Sequence, residues 1–240
     1  MRAISLLGRH WPELGPLALV EFDDGGALAL SRGAKPKTYA HQDPNEDAAL
    51  LVRVPEGVLL AVVDGFNGFE AAELTVERTR AWTELLLLAS GADFRTRVAE
   101  LLDDIRGRLP ADSKSRACLV LAALRGTHAE LVGFGDSCAF RSGAPTPLLP
   151  QNPILVGSSR GPRGIDPARW HTSFERAPGE RVALVSDGVV NFMPDPSEIP
   201  VMLASSASDL DCARAIALAA LRGGAGDNVA AAVFAGDTGL

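Results

Sequence analysis

Three runs of apolar residues in this 240-residue chain end on an aspartate: LLAVVDG at Asp64, LVGFGDS at Asp136 and VALVSDG at Asp187. Each pattern is that of a strand delivering a carboxylate at its C-terminal end, followed by a small residue. Two acidic motifs run the other way. NED (Asn45, Glu46, Asp47) stands ahead of AALLVRV, and GDN (Gly226, Asp227, Asn228) stands ahead of VAAAVF. In antiparallel sheets the end of one strand lies beside the start of its neighbour, so these opposite placements meet at one edge. An Asp-Gly pair alone reads first as a turn. The ordered set of motifs is what argues for a site.

Such a site has a definite chemistry. Two carboxylates about 4 Å apart repel by roughly 4 kcal/mol at an effective dielectric near 20, so several together require protons or cations. No cysteine or paired histidine lies within these motifs, and all-oxygen ligands select a hard ion, Mg2+ or Mn2+, over zinc. Two such ions bridged by one carboxylate hold and ionise a water for attack on a phosphoryl centre.

The elements that must position these residues are legible in outline. LALVEF and ALALS flank Asp23-Asp24-Gly25-Gly26 and read as a β-hairpin. AALLVRV and GVLLAVVD form a second antiparallel pair around Pro55-Glu56-Gly57. From Gly68 to Leu88 the positions Ala71, Ala72, Leu74, Val76, Trp82, Leu85 and Leu88 recur mostly at helical spacing, and Phe94 to Leu109 repeats the pattern with Val98, Leu101, Leu102 and Ile105. ACLVLAAL, AELVGFGD and CAFRSG then read as a strand meander. A Gly/Pro/Arg-rich loop runs from Pro145 to Gly164, followed by the strand RVALVSDG, a helix around Leu210 to Leu221 and the closing strand NVAAAVFAG. Strands with segregated helices give an α+β layered fold.

Composition narrows the partners. A formal charge of −7 leaves no basic stripe for nucleic acid or an anionic membrane. Cys118, Cys138 and Cys212 match neither a disulfide framework nor zinc spacing and read as reduced core thiols. Runs such as Leu85 to Ala89 are far too short to span a bilayer, and the first fifteen residues lack a signal-peptide apolar region, so a cytoplasmic location is expected.

From about Asn45 to Phe234, the ordered segments NEDA, AVVDG, SRACLVLAAL, VGFGDSCAF, VALVSDG and GDNVAAAVF resemble the metal-dependent Ser/Thr protein phosphatases of type 2C, in their bacterial form. The resemblance implies a single domain over 1–240, built as a four-layer α-β-β-α sandwich of two antiparallel sheets flanked by helices, with a short flap region at about 145–170. It implies two ions, Mn2+ or Mg2+, at one end of the sandwich. Asp64 takes the place of the carboxylate bridging both, with the Gly65 carbonyl as a further ligand. Asp187 and Asp227 match ligands of one ion, and Glu46 matches a ligand of the other, direct or through water. Asp136 matches the position of a weaker third ion, while Asp47 and Asn228 match residues that orient ligands and waters. Asp64, Asp187 and Asp227 thus carry the implied catalysis, hydrolysis of phosphoserine or phosphothreonine in a phosphoprotein without a covalent phosphoenzyme. A partner Ser/Thr kinase and a monomeric chain go with that reading.

The chain departs from the family in three places. Gln42 stands four residues before Glu46, where an arginine usually clamps the substrate phosphate. A neutral amide lacks the charge-assisted bidentate contact. Gln42 and His41 are the residues at the phosphate position, with Lys35, Lys37, Arg160 and Arg163 as cations able to substitute. Phe66 follows the Asp-Gly pair where eukaryotic members tend to have a histidine, and the segment between Asp136 and Asp187 is short.

Other readings are weaker. GSSRG fits the serine-hydrolase elbow with Ser159, but Pro162 and Gly164 break the helix that motif needs. A phosphoaspartate mechanism from Asp64 needs a second acid where Phe66 stands. His10, His128 and His171 have no metal spacing. The rival from another class is a phosphatase-like module without turnover that binds or regulates, for which Gln42 speaks and the retained Asp64, Asp187 and Asp227 speak against.

Overall fold

The computed structural model describes residues 1–38, 45–159 and 161–236. Among them, strands β1 (Arg2–Leu7), β4 (Ala48–Val54), β5 (Gly57–Phe66), β6 (Arg116–Arg125), β7 (His128–Phe134) and β9 (His171–Glu175) form one sheet in the order β1-β4-β5-β6-β7-β9. Strands β2 (Ala18–Glu21), β3 (Ala27–Ser31), β8 (Cys138–Arg141), β10 (Val182–Val185) and β11 (Val229–Phe234) form the other, in the order β2-β3-β11-β10-β8. The strand pairs in both sheets are antiparallel. Helices α1 (Glu70–Ala81), α2 (Thr83–Leu88) and α3 (Gly91–Arg108) belong with the first sheet, and α4 (Asp187–Val190), α5 (Ile199–Ser205) and α6 (Asp209–Arg222) with the second.

Three apolar layers follow from two-faced strands. In β5, Leu59, Ala61 and Val63 face the helices α1 to α3, while Val58, Leu60 and Val62 face the opposite sheet. In β11, Val229, Ala231 and Val233 face α4 to α6, while Ala230, Ala232 and Phe234 face inward. Burial on both faces explains why these strands read as unbroken apolar runs rather than alternating ones. On the α6 side, Ala213, Ala217 and Ala220 meet Ala27, Ala29 and Ala231, so small residues on both partners let the helix lie close to the sheet. The expected four-layer α-β-β-α sandwich is the observed one.

The far end of the second sheet is closed by Asp209. Its carboxylate accepts from the Gly26 N–H at 2.8 Å, the Ala235 N–H at 3.0 Å and Arg181 Nε at 2.9 Å. The β2–β3 hairpin turns through Gly25 and Gly26, at φ 100° and 95°, as the Asp-Asp-Gly-Gly stretch predicts.

The helix expected over Gly68 to Leu88 is two helices. The chain breaks at Trp82, which has φ −95° and ψ 2° and whose N–H reaches both Arg78 O and Arg80 O. Thr75 and Thr83 turn their hydroxyls back onto the Ala71 and Thr79 carbonyls at 2.6 and 3.1 Å, a contact that competes with regular helix and bends it. The break rotates the buried face, so Leu86 and Leu87 enter the core while Leu85 and Leu88 are exposed, contrary to the expected stripe. Strands β1 and β9 and helix α5 have no counterpart in the sequence reading. No helix among the described residues is long and apolar enough to cross a membrane.

Candidate metal centre

The ends of β5, β7 and β10 and the starts of β4 and β11 lie at one end of the sandwich, and the acidic motifs arrive there together. Asp64 and Gly65 sit inside β5, paired with Cys118 and Ala117. The pair is therefore not a turn. A side chain on Gly65 would strike the Glu46 carbonyl oxygen, and one on Gly188 would strike the Asn228 carbonyl oxygen. Both Asp-Gly pairs thus use glycine to let backbone from a neighbouring strand approach the carboxylate. The reversal from β5 into α1 needs left-handed backbone, which Asn67 (φ 58°) and Gly68 (φ 111°) provide. Ser115 holds that turn, accepting from Ala71 N–H at 3.0 Å and donating to Gly68 O at 2.7 Å.

Asp64, Asp136 and the thiol of Cys118 place one atom each within 4.8 Å of one another. Burial, followed by the charges of Asp47, Asp187, Asp136 and Asp227, holds the Asp64 carboxyl well above the usual carboxylate range. Burial pushes Asp47 up to about 8, Lys37 opposing and Asp227 and Asp187 adding to the rise. Burial also takes Asp187 up to about 6, with Asp136 and Asp227 raising it further and Asp64 and Lys37 opposing. These carboxylates therefore share one electrostatic field, as the convergent placement predicts. Cys118 is a neighbour the sequence reading did not include. Burial, then Asp64 and Asp136, push its thiol far up, so in the metal-free chain it is a neutral neighbour of the carboxylates.

The polar accounting at this end is incomplete in one direction. Both carboxylate oxygens of Asp47, Oδ1 of Asp136 and Oγ of Ser137 are buried without a hydrogen bond of ordinary geometry, Asp47 having only Ser186 and the charge of Lys37 to set against its burial. Asp47 is 1% exposed. Buried carboxylate oxygens so sparsely partnered among other carboxylates fit a hard divalent cation, and the donor set is all oxygen apart from the protonated Cys118. Asp47, expected only to orient other ligands, is thus among the most exposed to need of a counter-charge.

Glu46, expected as a ligand direct or through water, is held by two donors of the chain itself. Its Oε2 accepts from Lys37 Nζ at 2.9 Å and its Oε1 from the Gly68 N–H at 2.6 Å, with the side chain fully buried. Lys37 also reaches Asp227 Oδ1 at 3.2 Å, and its own side chain is 8% exposed. Although burial works against it, Asp47, Asp227 and Glu46 hold Lys37 above the usual lysine range. Lys37 is thus a cation in direct contact with two of these carboxylates. Asn228, expected to orient ligands and waters, accepts from Glu46 N–H at 2.9 Å and donates to Arg32 O at 3.1 Å.

The flap region runs along the same end. Asn152 N–H donates to Gly135 O at 2.9 Å and Val156 N–H to Ala117 O at 2.8 Å, which seats this segment beside Asp136 and Gly65. Arg163 is turned away, paired with Asp103 of α3 at 2.7 Å. Ser159 has no strand before it and no helix after it, so the elbow reading fails in the structure as well. His41, Gln42 and Arg160 lie outside the described residues.

No family model and no curated protein matches the chain. Solved structures do. The serine/threonine phosphatase PstP/Ppp of Mycobacterium tuberculosis is 21% identical, with 92% of this chain and 99% of that chain covered at a TM-score of 0.64. The catalytic domain of the serine threonine protein phosphatase PstP in complex with 2 manganese ions is 22% identical, covering 91% and 98% at a TM-score of 0.63. The PPM Ser-Thr phosphatase MsPP from Mycobacterium smegmatis, in complex with cacodylate, is 20% identical, covering 88% and 98% at a TM-score of 0.63. The chain has the fold of these bacterial phosphatases.

Proposed function

We propose that this chain is a metal-dependent phosphatase acting on phosphoserine and phosphothreonine in proteins. The observation that carries the reading is the buried carboxylate of Asp47, neither oxygen in a hydrogen bond of ordinary geometry, beside Asp64, Asp136, Asp187 and Asp227. Burial outweighs what Lys37 and Ser186 supply, so the group still takes a proton or a hard cation near neutral pH, and the similar fold that holds manganese in PstP favours the cation.

Mn2+ or Mg2+ at this end supplies an ionised water and offsets the charge of the phosphoryl group. Asp64, Asp187 and Asp227 would hold it, with the Gly65 carbonyl beside Asp64 and with Asp136 as a more peripheral ligand. Asn228 would keep that set oriented through its bond to the Glu46 backbone, and Asp47 adds its charge to that of Asp64. Cys118 and the flap residues bridged to Gly135 and Ala117 line the site beside Asp64 and Asp136. Gln42 and His41 are the proposed neutral contacts to the phosphate. We further propose one domain, a monomer, a cytoplasmic setting, a phosphoprotein substrate and an opposing Ser/Thr kinase.

The test is hydrolysis of p-nitrophenyl phosphate and of a phosphothreonine peptide by the purified chain. Turnover with Mn2+, its loss with chelator, and a fall of about 100-fold or more for Asp187→Ala support the reading. Mn2+ binding without turnover on any phosphoester favours the regulatory module instead, a reading that the occupation of Glu46 by Lys37 keeps open.

A further inference from the structure

We infer that His128, charged and held between Glu130 and Glu175, is a pH-sensitive clasp that pins strand β9, and with it the exit of the flap region, to the first sheet, and that the clasp opens when the ring loses a proton. The inference is independent of the metal-dependent reading above and of the residues that carry it.

The cluster lies on β7 beside the start of α3. Glu130, 1% exposed, is at its centre. Its Oε1 accepts from the Gly91 N–H of α3 at 2.7 Å and faces His128 Nε2 at 3.1 Å, and its Oε2 faces His171 Nε2 of β9 at 2.6 Å. His128 Nδ1 faces Glu175 Oε1 of β9 at 3.0 Å, and Glu175 Oε2 accepts from the Thr127 hydroxyl at 2.7 Å. His128 and Glu175 are register partners at the end of the β7–β9 ladder. One residue further on, the Arg176 N–H donates to Thr127 O at 2.6 Å.

The charge follows from counting donors. An ionised carboxylate only accepts and a neutral imidazole has one N–H, so a ring with a glutamate on each nitrogen satisfies both contacts only as the imidazolium. His171 presents a single nitrogen to Glu130 and needs no second proton for that bond. A proton on either glutamate is opposed: although burial works against it, the Gly91 N–H, His171 and His128 hold Glu130 below the usual carboxylate range, and Thr127 and His128 hold Glu175 below it. The bond to Glu130 holds His128 above the usual histidine range, burial opposing and Glu175 adding to the rise. The charged side chains around the ring are thus Glu130 on its own strand, Glu175 and, across Glu130, His171 on β9, and Arg125 at the paired position of β6. With a raised folded value, the clasp's contribution is full below about pH 6.5 and is lost as pH rises through that higher value.

A neutral ring keeps one N–H. Glu130 is the buried partner and is costly to leave unpaired, whereas Glu175, with its side chain 69% exposed, turns to water, so the break falls at the end of β9. That strand is the sheet's edge, paired with β7. Just ahead of it Trp170 stacks on Phe134 at 5.6 Å, and Asn152 Nδ2 donates to Gly133 O at 2.9 Å and to Arg169 O at 3.2 Å. The segment seated beside Asp136 therefore leaves through the strand that the clasp holds.

Nuclear magnetic resonance of the metal-free full chain tests this, with the His128 ring signal identified by its loss in His128→Gln. The ring is expected to titrate above the value of a free histidine. The Arg176 amide, its exchange protection taken relative to amides of β5 and corrected for the intrinsic rise with pH, is expected to lose about three- to fivefold from about pH 6 to about pH 9. Glu175→Gln supplies an amide N–H to the lone pair of a neutral ring, so it should bring the titration toward the free value and keep the protection at both pH values. A His128 midpoint at or below the free value, protection of Arg176 that holds to about pH 9 in the wild type, or an equal fall in Glu175→Gln would overturn the inference, whatever metal the chain binds.

Discussion

At the scale of single residues, the centre is shaped by what is missing as much as by its carboxylates. Gly65→Ala drives a methyl into the Glu46 carbonyl, which belongs to backbone and cannot swing away. We expect a loss of about 1 to 3 kcal/mol in urea unfolding, with weaker Mn2+ binding because Asp64 and Glu46 move apart. Asp47→Asn should act in opposite directions on two measurements: the metal-free chain gains stability, since a buried charge is removed, and Mn2+ affinity falls. Asp64, Asp136, Asp187 and Asp227 were legible because a strand end or start marks each of them, and the antiparallel rule then brings them together. Lys37 was legible only as a cation in the neighbourhood. A lysine within the polar stretch Ser31 to Glu46 has no periodicity to say which way it turns, and its burial is decided by contacts with residues as distant in sequence as Asp227.

At the scale of elements, periodicity serves well where an element is continuous and poorly where it is interrupted. The α3 stripe of Phe94, Val98, Leu101, Leu102 and Ile105 is buried as its spacing predicts. The preceding segment loses its phase at Trp82, and the leucines that fit the extrapolated stripe are the exposed ones. Leu87→Ala should therefore cost about 2 to 5 kcal/mol in chemical unfolding, whereas Leu88→Ala, at 67% exposure, should change the midpoint little. Helix α5 escaped notice because Pro200 reads as a breaker, yet it lies in the first turn, where proline's missing N–H has no partner to lose. Strand β9 escaped because HTSFE is polar, as an edge strand paired on one side with β7 has no need of an apolar run.

At the scale of the whole molecule, the carboxylate field couples stability to pH. Asp47 rises to about 8, Asp187 to about 6, and Asp64 rises as well. Their unfolded counterparts titrate near 3.8, so between about pH 4 and pH 8 the folded chain binds more protons than the unfolded one. The stability of the metal-free protein therefore falls as pH rises through that window. Thermal melts of the chelated chain should show a higher Tm at pH 5 than at pH 8, and Mn2+ should raise Tm more at pH 8, where it replaces the protons that have left. A metal-free Tm that climbs from pH 5 to pH 8 would contradict the crowding of carboxylates at this end.

The carboxylates at this end come from both sheets: Asp47, Asp64 and Asp136 from the first, Asp187 and Asp227 from the second. The interior between the sheets is apolar and offers little directional resistance to one layer sliding over the other. Across the seam, Asn228 ties the start of β11 to the backbone just ahead of β4. Cations held there as proposed would add a second fastening of the same kind, like a rivet through two plates. Loading the proposed centre would then set the alignment of the layers, and stripping it would leave that end of the sandwich freer to shear.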